Sequence, residues 1–95
     1  MDETLSWRAK LAKSNINILN VIIEKTSHGI VYKWFFEFTY HPKPGTFKWC
    51  KTFLEVPQHE YGDDDAGWFY TEYTPEEVSD MILTEVLKLR KELED

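Results

Sequence analysis

The sequence has a single cysteine, Cys50, in 95 residues. One thiol cannot close an internal disulfide, so a reducing, cytoplasmic (intracellular) location is expected. The four glycines, Gly29, Gly45, Gly62 and Gly67, are scattered. None forms a phosphate-cradling loop, which leaves nucleotide binding by a P-loop or dinucleotide fold without support. No run approaches the ~20 apolar residues of a membrane-spanning helix, and no membrane partner is expected. The start, MDETLSWRAK, has no apolar h-region, so no secretory leader is expected. The soft metal ligands are His28, His41, His59 and Cys50, and no pair of them has CxxC or HxxxH spacing. Nor does a local signature support a Cys–His nucleophilic pair. The expectation is therefore a non-enzyme, with no catalytic residues, no cofactor and no metal.

What is present is an ordinary globular balance: 42% apolar and 29% charged residues, enough for one domain over residues 1–95. Aromatics reach 16%, and all but Trp7 fall between Tyr32 and Tyr73. The net charge of −6 is unevenly spread. Residues 1–56 carry eight Lys/Arg against five Asp/Glu, a balance of +3; residues 57–95 carry three against twelve, a balance of −9.

Periodicity sets the elements. Ile30–Tyr40 alternates, with Tyr32, Trp34, Phe36 and Phe38 on one parity and Val31, Lys33, Phe35, Glu37 and Thr39 on the other. That is a strand with one face available to fill a core. Thr46–Val56 alternates too, and His41-Pro42-Lys43-Pro44-Gly45 between the runs predicts a hairpin whose register the spacing leaves open. Thr74-Pro75-Glu76-Glu77 opens a C-terminal helix with an N-cap, a proline at the first position and a capping-box Glu. Val78, Met81, Ile82, Val86, Leu89 and Leu93 form its core stripe. Glu92, Glu94 and Asp95 oppose the helix dipole, so its last turn is expected to fray. Residues 3–25 read either as one long helix or as a helix over Glu3–Lys13 followed by a strand over Ile16–Lys25. Ser14, Asn15, Asn17 and Asn20 and the β-branched Val21-Ile22-Ile23 favour the second reading. The fold class is then α+β, in the order α-β-β-β-α: a three-stranded antiparallel sheet, with a fourth strand available at Trp68-Phe69-Tyr70.

That order resembles the double-stranded-RNA-binding domain. The family grips phosphates with a lysine-rich start to its last helix. Here that start is Pro75-Glu76-Glu77, so the resemblance is one of topology and does not imply RNA binding. Tyr61-Gly62-Asp63-Asp64 resembles the polymerase metal-binding tetrapeptide, but the flanks read as loop and the full palm scaffold exceeds 95 residues. The run Glu60, Asp63, Asp64, Asp65 lacks the alternate-position spacing of a calcium loop.

Two surfaces stand out. Between Glu60 and Asp80 there is no Lys or Arg, and aromatics are interleaved with the acids. Glu60, Tyr61, Asp63, Asp64, Asp65, Trp68, Tyr70, Glu72, Glu76 and Glu77 are the candidate partner-binding residues, facing a protein with a basic surface. Small acidic inhibitors encoded by phages and mobile elements are similar in size and charge, and block nucleic-acid-binding surfaces; composition alone carries that likeness. The second surface is an aromatic sheet face, Phe35, Phe47, Trp49 and Phe53, beside Lys33, Lys48 or Lys51. It could stack single-stranded bases, although the −9 segment weighs against nucleic acid as a partner, or pair copies in a homodimer. With two helices and two sheet faces, the expectation is that a helix covers this face.

Overall fold

The computed structural model describes residues 3–27, 29–65 and 67–94, with side chains for all of these except 3–6, 60, 61, 63 and 68–70. The chain runs α1 (Glu3–Lys13), β1 (Ile16–Thr26), β2 (Gly29–Tyr40), β3 (Lys48–Pro57), β4 (His59–Asp63), β5 (Gly67–Thr71) and α2 (Pro75–Leu93). Strands β1-β2-β3 form an antiparallel open sheet in sequence order, giving the expected α-β-β-β-α arrangement. Strands β4 and β5 add a separate two-stranded hairpin. The predicted strand at Trp68-Phe69-Tyr70 thus exists, but it pairs with His59–Asp63, a stretch expected to be loop, instead of joining the main sheet.

Asn15 decides between the two readings of residues 3–25. Its φ of 57° is left-handed, and the N–H groups of Ser14 and Asn15 donate to Leu11 O and Ala12 O at 3.0 Å. A residue in that conformation ends a helix, and Asn tolerates it better than most non-glycine residues. The chain then turns directly into β1.

The register places Trp34 opposite Val21 and Leu54, Phe36 opposite Ile18 and Thr52, and Phe38 opposite Ile16 and Cys50. Directly opposed residues share a face. The helix-side face therefore carries Ile16, Ile18, Val21 and Ile23 from β1, Tyr32 to Tyr40 on even positions of β2, and Cys50, Leu54 and Val56 from β3. The core is one cluster: Trp7 and Leu11 of α1, Ile16, Phe36, Phe38 and Val56 of the sheet, and Val78, Ile82 and Val86 of α2. Trp7 packs edge-on against Trp34, with ring centroids 6.0 Å apart. Both helices contribute to this cluster, so both lie on the same side of the sheet.

Helix α2 starts as its sequence predicts. Glu77 N–H donates to Thr74 Oγ1 (3.2 Å), and the Glu77 carboxylate accepts from Thr74 N–H (3.0 Å). The Thr74 N–H, and after it the Thr74 hydroxyl, hold the Glu77 carboxyl below its ordinary pKa. The C-terminal end differs from expectation. The helix persists to Leu93, and Glu94 accepts the backbone N–H of His41 at 2.7 Å, which anchors the last turn to the end of β2. Leu93, expected in the core stripe, is exposed. Arg90 cross-links the helix layer to the sheet. Its Nε–H donates to Thr39 O (2.8 Å), a second guanidinium N–H donates to Ser14 O, and its plane lies 5.7 Å from the Phe38 ring.

Candidate functional site: an uncovered aromatic sheet face

The second face of the sheet is built from the odd positions of β2 and their partners. Phe35 lies between Asn20 and Phe53, Lys33 between Ile22 and Glu55, Glu37 between Asn17 and Lys51, and Trp49 lies opposite Thr39. Among the described residues no helix covers it, contrary to expectation. Among those residues, the buried apolar positions of α1 and α2 all enter the core on the other side. Trp49 is therefore 47% exposed and Phe53 45% exposed, while Phe36 and Phe38, one residue out of phase, are 0% exposed.

Three of the four aromatic candidates, Phe35, Trp49 and Phe53, share this face. The Phe35 and Phe53 rings stack at a tilt, 5.2 Å between centroids. Phe47 lies just ahead of β3 and is exposed. With Trp49, Asn15, Thr39 and His41 it lines a shallow concavity of about 260 Å³ at the end of the sheet. The connection that presents Phe47 is held by Thr46 Oγ1 donating to Lys43 O (2.8 Å) and by a 2.7 Å contact between His41 Nδ1 and Thr46 O.

The lysines decide the chemistry of the face. Lys33 sits at its centre with Glu24 at 2.9 Å and Glu55 at 3.8 Å, and its ammonium lies 5.4 Å from the Phe53 ring. The hydrogen bond to Glu24 raises the Lys33 pKa above its ordinary value. Lys51 pairs in register with Glu37, while Lys48 pairs with Tyr40 and so belongs to the helix side. The face thus carries Lys33 and Lys51 against Glu24, Glu37 and Glu55: an apolar ridge with its charges nearly cancelled.

The acidic candidates fall into three groups. Asp64 and Asp65 are exposed in the turn joining β4 to β5. Glu60, Tyr61 and Asp63 lie in β4, and Trp68 and Tyr70 lie in β5, with Glu60 opposite Tyr70, Tyr61 opposite Phe69 and Asp63 opposite Gly67. The side chains of these five lie outside the described residues. Glu72, Glu76 and Glu77 lead into α2, and two of them already have partners. Glu72 accepts the Tyr32 hydroxyl, a bond that raises the Tyr32 pKa, and Glu77 is held in the capping box. Glu76 is exposed. Asp80, next along the helix, pairs with Lys10 at 2.9 Å.

The metal candidates remain dispersed. Cys50 is a half-buried strand residue opposite Phe38, and His41 is exposed. His59 lies edge-on to the Tyr73 ring, and His28 lies outside the described residues. Among the described residues no three His, Cys, Asp or Glu side chains form a cluster that could hold a metal ion, and no helix is long and apolar enough to cross a membrane.

The whole molecule is long and open for its size. Its radius of gyration is 16.0 Å, where a compact chain of this length has about 12.4 Å. Its accessible surface is 7037 Å², roughly 1,200 Å² above that of a compact monomer of its mass. No protein-family model, curated protein or solved structure matches the chain.

Proposed function

We propose that this chain works without catalysis, as a protein-binding module that presents the Phe35–Trp49–Phe53 face to a partner protein. The acidic β4–β5 turn and the Glu76 end of α2 steer it towards a partner with a basic surface. In its sharper form the reading is inhibitory: the acidic segment occupies a nucleic-acid-binding surface of the partner and blocks it. The observation that carries the reading is the uncovered aromatic face with its charges cancelled within it. Exposed aromatics supply binding energy on desolvation, and a one-signed field elsewhere on the chain speeds encounter. The surface excess of roughly 1,200 Å² exceeds the ~800 Å² per partner of a standard interface.

A second reading uses the same open face to stack single-stranded bases. Lys33, the central cation, already has two carboxylate neighbours, and the face offers three acids for two lysines. Phosphate affinity depends on free Lys and Arg, so the protein partner is preferred.

The test compares wild-type chain, a Trp49→Ser/Phe53→Ser variant and an Asp63→Lys/Asp64→Lys/Asp65→Lys variant in affinity capture, then measures each against the purified partner over a salt series. The face variant loses the partner. The charge variant binds more weakly, with a flatter salt dependence. A partner held equally by all three chains contradicts the reading. Tight binding of a labelled oligonucleotide that weakens steeply with salt replaces it with the second one.

A further inference from the structure

The two edges of the main sheet are built differently. Strand β3 carries Lys48, Lys51 and Glu55 and ends on Pro57. Charged side chains and proline are the devices by which an exposed edge is kept from pairing with other strands. Strand β1, the other edge, has no charge or proline from Ile16 to Ile23 and runs for 11 residues. Its exposed apolar side chains point to both faces. Val21 and Ile23 (64% exposed) lie on the helix side, and Ile22 lies on the open side. Two protective devices are present: the charged pair Glu24 and Lys25 near the end of the strand, and a bulge between Ile18 and Asn20, where Asn20 Oδ1 accepts the Val21 N–H at 2.9 Å. The bulge separates the half of β1 beside α1 from the half beyond, and the exposed isoleucines lie in the second half.

We propose that the second half of β1 is a self-association edge: two copies of this chain pair β1 against β1, antiparallel, to make one continuous six-stranded sheet. The chemistry that fits this edge is another strand that is apolar on both faces, and β1 is itself such a strand. Around a two-fold axis at Ile22, Val21 meets Ile23 of the partner subunit on the helix side, and Ile22 meets its own copy on the open side. Asn20 then lies opposite Glu24 of the partner subunit, so no like charges oppose each other directly. Such isologous pairing closes at two copies. The groove beside this half strand adds area. Val21, Ile23, Tyr32, Trp34, Tyr73 and Pro75 line about 340 Å³ of mainly apolar concavity, into which the partner's edge residues can pack. The single chain exposes more surface than a compact monomer of its mass, and edge-to-edge pairing would bury part of it. The edge is distinct from the aromatic face, so this inference stands or falls separately from the proposed function.

Sedimentation over a concentration series tests it with three chains: wild type, Ile23→Lys on the edge and Phe53→Ser on the open face. Both substituted side chains are exposed, so both variants keep the fold, checked by circular dichroism. Wild type and Phe53→Ser sediment as dimers at the higher concentrations, with twice the 11.4 kDa chain mass. Ile23→Lys stays monomeric throughout. A wild-type chain that is monomeric at every concentration overturns the inference. So does a dimer that survives Ile23→Lys and is lost with Phe53→Ser, which would place the contact on the aromatic face.

Discussion

Removing Arg90 should cost more than removing any other single cation. Its guanidinium binds Thr39 O at the end of β2 and Ser14 O at the end of α1, from within α2. Three elements therefore meet at one side chain. Hydrogen bonds from a charged donor contribute about 1.5–3 kcal/mol each. The two share one donor group and do not add fully, so Arg90→Met, which keeps the aliphatic stem over Phe38, is expected to lose about 2–4 kcal/mol. A chain of 95 residues unfolds with an entropy of about 0.2 kcal/mol/K. The midpoint should then fall by roughly 10–20 °C in thermal unfolding followed by circular dichroism. Arg90→Lys keeps the charge but lacks the forked donors, and should fall between wild type and Arg90→Met. A methionine variant within about 0.5 kcal/mol of wild type, the range of an ordinary surface substitution, would refute the role assigned to the guanidinium.

Two further outcomes follow from the helix ends. The Glu77 carboxyl has a folded pKa below its unfolded value, so its contribution is complete above the unfolded value and is lost as pH falls through the folded one. Urea midpoints measured from neutral pH downward should therefore fall less steeply in Glu77→Gln than in wild type, the difference arising below the ordinary carboxyl pKa of 4.5. At the α1–β1 turn, Asn15→Gly should be neutral or stabilising, whereas Asn15→Val should cost about 1–3 kcal/mol, because a β-branched residue is strained at the positive φ of this position. Chemical denaturation of both variants checks this.

The strands β1, β2 and β3 and the capped helix α2 were legible because their signals are local. Alternation fixed Ile30–Tyr40 as a strand, and Thr74-Pro75-Glu76-Glu77 fixed a helix start. The choice of covered face was not legible. In Trp34-Phe35-Phe36 both parities of β2 are aromatic, so the pattern alone cannot say which side meets a helix. The choice falls to α1 and α2, each with one stripe, and both stripes serve one core. On α1, Trp7 and Leu11, four residues apart, are the buried pair. Strand β4 was read as loop because its acids and Gly62 are poor strand formers; its pairing with Gly67–Thr71 overrides that weak preference. Of the acidic candidates, Glu77 was legible as the capping-box Glu, whereas the bond from Tyr32 to Glu72, 40 residues along the chain, was not. Nothing local in the sequence marks Arg90, since its carbonyl partners lie 51 and 76 residues away.

Hydroxyl-radical footprinting of the purified chain bears most directly on the open aromatic face. Oxidation read out by mass spectrometry should be rapid at Trp49, Phe53 and Phe47, and slow at Phe36, Phe38 and Trp7, whose side chains are buried. Protection of Trp49 and Phe53 equal to that of Phe36 in the monomeric chain would mean that the face is covered, and would contradict the contact surface proposed for this protein.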